Sequence, residues 1–352
     1  MTVSFDYYGN PIPAYRARLG AGGVFAIALA VLLNVTAAAG LIWVAVNQQR
    51  VTDQLVVWNF EPGTDIESYS DRVGFTDEGR FLFYASRPAI TAGESFDEVC
   101  GSHKEDIGIL GCYRPFDRTI FLFDVTDDRL DGIEEVVAAH ETLHAAWARM
   151  GETERARIGA LLETEAAKLL DYPGFAETMD FYARAEPGQR QNELHSILGT
   201  EFRELSPELE AHYARYFVDR GVVVALHETS NAVFTEQAAA LATLTAQIEG
   251  LAASIEADYA SYNAGYDGLN GDIESFNSRA SSGSFETQAE FDAERNALVA
   301  RQADLDTLYS SIDARVAQYD GLLAQLEALN ATSAALNEAI NITPRDTTET
   351  TE

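Results

Sequence analysis

Residues 232 to 338 constrain this chain most, because they contain two heptad-like runs that mirror each other. The first sets Leu241, Leu244, Ile248, Leu251, Ile255, Tyr259, Tyr262, Tyr266, Leu269, Ile273 and Phe276 at steps of three and four. The second runs through Phe291, Leu298, Leu305, Leu308, Ile312, Val316, Tyr319, Leu323 and Leu326. Steps of this kind lay one apolar seam along a helix. The stretch RASSGSFE, Arg279 to Glu286, interrupts the pattern at Gly283. Folding the chain back there pairs residues whose numbers sum to 567, such as Phe276 with Phe291 and Ile255 with Ile312. The irregular double step of four at 251, 255 and 259 falls opposite 308, 312 and 316, so even the stutters coincide. The expectation is an antiparallel coiled-coil hairpin over 232–338, about 60 Å or more long. Such an arm serves as a spacer, as a dock for a protein partner, or as a seam for self-association.

Residues 19 to 49 carry no charge, and 23 to 46 are almost wholly apolar. Twenty-four helical residues reach about 36 Å, enough for a bilayer core of about 30 Å. The reading is a single transmembrane helix at 23–46 behind a cytoplasmic tail, 1–22. A cleaved signal peptide is the alternative, helped by Ala37-Ala38-Ala39, although its apolar core is normally shorter. Arg16 and Arg18 precede the span and Arg50 follows it, which keeps the N-terminus cytoplasmic and everything downstream extracytoplasmic.

The 24 basic residues against 56 acidic ones, with Lys104 and Lys168 the only lysines, give a surface that repels phosphate backbones. Nucleic acid is therefore not an expected partner. Two cysteines, Cys100 and Cys112, read as a disulfide in an exported domain. Closing so short a loop contributes about 3 kcal/mol in the chain-entropy model. The alternative is a second metal site made of Cys100, His103 and Cys112, without a fourth ligand.

The chemistry-bearing stretch is Val-Val-Ala-Ala-His140-Glu141-Thr-Leu-His144-Ala-Ala-Trp. It lies in an apolar-periodic run, with Asp131 as N-cap and Gly151 as stop, so it reads as one helix. Two histidines four apart leave the same face of that helix and can share a zinc ion. Glu141 beside them can take a proton from water that the metal has made acidic. The expected cofactor is Zn2+ and the expected activity that of a metal-dependent peptidase acting on protein or peptide.

A catalytic zinc needs a third protein ligand. Trp147 and Met150 stand where a metzincin would carry its Gly and third His, so that pattern is absent. Further on, Asn192-Glu193-Leu-His195-Ser196 resembles the Asn-Glu-x-x-Ser segment of thermolysin-like gluzincins. The resemblance covers this segment and the HETLH helix, and it implies a zincin-like domain in which Glu193 is the third ligand. It departs from the family where Ile197 replaces an Asp that orients the first histidine. In zincins an edge strand above the active helix also holds extended substrate. By helical geometry Glu201 lies roughly 80° from Glu193 and is the alternative ligand, while His195 projects roughly 200° away and ranks third. His103, His212 and His227 read as structural. Tyr182, Tyr213 and Tyr216 are either oxyanion donors or core.

The fold class implied is α+β, with a zincin-like domain at 53–221 made of a small sheet and a helical lobe. Gln54–Phe60, Arg80–Tyr84 and Arg118–Val125 read as strands, and 77–79 and 127–128 as turns. Helices with breaks at 172–174, 187–188 and 206–207 follow up to Phe217, then a β-like connection at 222–226. The tail 343–352 reads as disordered, and Asn330 and Asn341 sit in glycosylation patterns. The expectation is a membrane-anchored zinc metallopeptidase. A non-catalytic coiled-coil envelope or surface protein is the alternative.

Overall fold

The computed structural model describes residues 4–11, 20–101, 110–185 and 187–340. His103, Asn341, the 343–352 tail and most of the N-terminal tail lie outside the described residues. The chain divides into two bodies, Met1–Phe60 and Glu61–Glu352.

The first body is built on α1, Ala21–Val46, which has no buried residue and is long and apolar enough to cross a membrane. A signal sequence passes the same test. Helix α2, Gln48–Asn59, follows it directly. Residues 54–60, expected as a strand, are therefore helical up to Asn59. The chain meets no breaker between Val46 and Pro62, and Asn47 bonds back to the Trp43 carbonyl through both its side chain (2.8 Å) and its backbone N–H (2.9 Å). Helix propagation outweighs the β-branched composition of this stretch.

The second body opens with α3, Thr64–Val73, and α4, Asp77–Ala85. The second of these replaces the strand expected at 80–84 and the turn expected at 77–79. Thr76 caps it, accepting from Gly79 N–H at 3.1 Å, and Asp77 and Glu78 complement the dipole of the first turn. Strand β1, Ala89–Thr91, helix α5, Glu94–Cys100, and strands β2, Gly111–Arg114, and β3, Thr119–Phe123, come next. The order in the sheet is β1-β3-β2, parallel on one side of β3 and antiparallel on the other. The strand expected at 118–125 is thus central, with Phe121 opposite both Ala89 and Cys112, and the edge strand next to the following helix is β2. Cys100 and Cys112 are bonded to each other, joining α5 to β2 and removing the alternative metal site there.

A 3₁₀ turn at Asp128–Leu130 leads into α6, Ile133–Arg149, the helix of the HETLH motif. Its N-cap is Gly132, not Asp131, because Arg72 of α3 takes the Asp131 carboxylate in a two-pronged bond of 2.8 and 2.9 Å. Helices α7, Glu152–Ala166, α8, Phe175–Ala185, α9, Arg190–Glu201, and α10, Pro207–Tyr213, are separated where the Pro and Gly breaks predict. Helix α9 is enclosed by α6, α7, α8 and α11, and every residue from Glu193 to Thr200 is buried.

Helix α11 runs without a break over Arg220–Ser282. The β-like connection expected at 222–226 is instead its first turns, capped by Asp219 accepting from Gly221 N–H at 2.9 Å. The chain turns at Gly283 and returns as α12, Gln288–Ala339. Phe276 and Phe291 pack at 4.9 Å between tilted ring centres and Ile312 is fully buried, as the mirrored seams require. Arg279 pairs with Glu290 and Glu294, Arg301 with Asp272 and Arg315 with Asp258, each across the two arms. These ion pairs match the register of the seam from tip to middle. The mixed sheet is small beside this helical mass, and the fold is mostly helical.

Candidate metal centre

The site is a crossing of α6 and α9. Helix α6 buries ten of its residues, and its inner face carries Leu143, Ala145 and Ala146 against the neighbours. The small alanines beside the histidines let another helix come close. Gly199 does the same from α9, since a Cβ there would lie 2.4 Å from Leu143 Cδ1 and 2.8 Å from the Tyr213 ring. Both neighbours are fully buried and have no room to yield. The close approach of the two helices brings Glu193, on the first turns of α9, to the histidines.

Glu193 Oε1 stands 3.6 Å from His144 Nε2, and Glu193 Oε2 stands 3.9 Å from His140 Nε2. Metal–ligand bonds of about 2.0–2.1 Å at tetrahedral angles put donor atoms about 3.4 Å apart. The two imidazoles and this carboxylate therefore have the chemistry and nearly the spacing of a divalent-metal donor set. His140, Glu141 and His144 also bring one possible ligand atom each within 4.8 Å of the others, so this group could hold a metal ion. Glu193 faces both Nε2 atoms, and Glu141, the next residue after His140, lies in the same cluster.

Burial, followed by the His144 and His227 imidazoles, holds His140 well below its ordinary pKa. The ring is thereby kept neutral, the form a metal requires. Ser196 Oγ shares a hydrogen bond of 3.2 Å with His144 Nδ1, which leaves Nε2 to face Glu193. Such a bond to the far ring nitrogen orients a metal-binding histidine. Ile197, buried one residue on, offers no acceptor to His140.

The edge strand β2 passes over the motif. A Cβ on Gly111 would lie 2.4 Å from Val137 Cγ1 and 3.0 Å from Glu141 Cγ, so only glycine lets the strand lie this close to the helix. Tyr113 and Arg149 join the far ends of β2 and α6 at 3.3 Å.

The other sequence candidates fall elsewhere. His195 bonds His212, Nε2 to Nε2 at 2.9 Å, between the rings of Trp147 and Tyr213. It is not a third ligand. His212 is its structural partner, as expected. Tyr213 donates to the His195 carbonyl at 2.8 Å and Tyr216 is buried, so both belong to the core. Tyr182 packs its ring on Phe181. Glu201 lies two turns beyond Glu193, 3.9 Å from His227 Nε2, and burial pushes its carboxyl up to about 7.

His227, expected as structural, lies on α11 with its Nε2 3.9 Å from Glu201, and its imidazole adds to the lowering of His140. A helix beginning at the Asp219 cap puts Val223, Val224 and His227 on one inward face. Compared with family models, curated proteins and solved structures, the chain matches none.

Proposed function

We propose that this protein is a zinc metallopeptidase, held at a membrane by α1, in which His140, His144 and Glu193 bind the metal and Glu141 is the general base. The single observation that carries the reading is the Glu193 carboxylate set against both Nε2 atoms, at 3.6 and 3.9 Å. The donor set, two neutral nitrogens and one carboxylate oxygen, is the kind that catalytic zinc takes with a fourth position open. When bound, zinc lowers the pKa of water to near 7 and polarises a carbonyl.

The chain's own residues supply the rest. With Nε2 given to the metal, His144 carries its proton on Nδ1 and donates it to Ser196 Oγ, 3.2 Å away, which fixes the ring's orientation. Glu141, buried under Gly111, takes a proton from the attacking water and returns it to the leaving amine. The outer edge of β2 offers backbone N–H and C=O groups to an extended peptide, aligned along the helix that carries the base. Buried surroundings strengthen each of these interactions. With α1 as an anchor and the cysteines oxidised, this body faces outward from the cytoplasm.

The test is metal content and peptide cleavage of wild type and Glu141→Gln. Retained stoichiometric zinc with cleavage reduced by about 100-fold or more supports the assignment. A chain that takes up no zinc and cleaves nothing overturns it and leaves the hairpin as the functional part.

A further inference from the structure

Both arms of the hairpin close on the metal-binding helix at the end where it begins. The root of α11 packs on α6 and α9 through the fully buried Val223 and Val224, and it carries His227. Its next turns bring Val233 and Phe234 onto Leu130 and Ile133, the residues that lead into and open α6. The last turns of α12 then deliver Leu336, 2% exposed, and Ile340, 8% exposed, into the same cluster. Gln237 locks the arms together just above, donating to the Leu329 carbonyl at 3.1 Å and Ser333 Oγ at 2.7 Å. His140 follows Ile133 by seven residues, two helical turns.

The start of α6 depends on such contacts. Gly132 supplies no side-chain cap to the first turn of α6. Besides the acidic first turn, tertiary neighbours hold it: Arg72 on Glu135 at 2.8 Å, Glu134 accepting from Val125 N–H at 3.2 Å, and the cluster made by the hairpin. A helix end held mainly by neighbours opens locally when one is withdrawn.

We propose that the end of α12 completes the metal site from about 200 residues away in sequence: Leu336 and Ile340 are positioning residues that act through Leu130 and Ile133 on the helix bearing His140, Glu141 and His144. With the base of the hairpin open, the donors are present but their spacing is not held. The hairpin is thereby a control arm, and whatever prises its base apart switches the site off. The metal readout of this proposal rests on the peptidase reading, whereas the helix-order readout does not.

Leu336→Asp and Ile340→Asp in the full chain test it, with Leu336→Met as the conservative variant and Ile312→Ala as a mid-hairpin control. Hydrogen exchange is followed in the metal-free protein, and Zn2+ affinity by chelator competition. The Asp variants are expected to raise exchange across 133–147 at least tenfold and to weaken Zn2+ at least tenfold, with Leu336→Met and Ile312→Ala close to wild type in both. Faster exchange at 333–340 with 133–147 unchanged overturns the proposal. Should the Asp variants leave 333–340 docked, truncation after Ala331 removes the contact outright, and unchanged exchange in 133–147 then overturns it. An equal rise at Ile158 and Leu162 of α7 also overturns it, because the contact would then support the whole fold. If wild type binds no Zn2+ while 133–147 responds as expected, the peptidase reading falls and the positioning role stands.

Discussion

Glu193 and Glu201 differ by two helical turns and by everything that surrounds them. The first meets two imidazoles, the second a single one from α11. Glu193→Ala is expected to abolish tight zinc binding, while Glu201→Ala keeps it. Ser196→Ala, which removes the bond to His144 Nδ1, should weaken zinc by about 10-fold, the lower end of effects from groups that orient a ligand. Competition with a chromogenic chelator ranks all three. A second prediction concerns His212, which burial lowers to about 4 from an ordinary 6.5. The unfolded chain takes up this proton as pH falls through 6.5 while the native state does not, so stability is lost between about 6.5 and 4. The full difference is about 3 kcal/mol. His212→Gln keeps a polar group for His195 and cannot titrate. It should therefore lose about that much less than wild type on acidification, in urea midpoints of the metal-free proteins from pH 7 to pH 4. At this scale the sequence was readable where spacing fixes geometry: His140 and His144 share one face of one helix, and Glu193, singled out on the second helix, lies beside both. It did not record where His227 would lie, because that depends on a helix start that a run of valines disguised as a strand.

At the scale of elements, the crossing of α6 and α9 sets the distance between imidazoles and carboxylate. Gly199→Ala places a methyl group against Leu143 and the Tyr213 ring, both without free space. Overpacking of this kind costs about 1–3 kcal/mol. Because the strain is relieved by moving α9 outward, zinc affinity should fall together with the urea midpoint. A stability loss with unchanged affinity would show that the crossing distance is not what holds Glu193 in place. The breaks between helices in the 152–217 lobe were legible because Pro and Gly act locally. The strands expected at 54–60 and 80–84 failed because alternating apolar residues do not distinguish a strand from a helix with one buried face. The Thr76 cap with its acidic first turn was the stronger signal at the second of these. Which strand forms the sheet edge depends on long-range pairing, and no local pattern in RTIFLFDV records that β3 lies between two neighbours.

Across the whole molecule, the hairpin was the most legible part, since a seam that mirrors itself about one glycine has few other ways to be buried. Its register is seen in Phe276 on Phe291 and in the ion pairs across the arms. Its attachment was not legible. That Leu336 and Ile340 land on Leu130 requires the lengths of two arms to match a third segment folded elsewhere. Those ion pairs also have a consequence for company. Residues 232–338 hold seventeen carboxylates against four arginines, a net charge of −13, and Arg279, Arg301 and Arg315 are each engaged with an acid on the opposite arm. Three of the four cations are thus engaged within the hairpin, and the carboxylates far outnumber them. Two such rods brought side by side face each other with like charge, unscreened within a Debye length of about 30 Å at 0.01 M salt and about 3 Å at 1 M. Sedimentation velocity should therefore find the hairpins apart in dilute buffer and any lateral pairing only in concentrated salt. The same excess charge makes the arm a better match for a cationic surface than for its own copy.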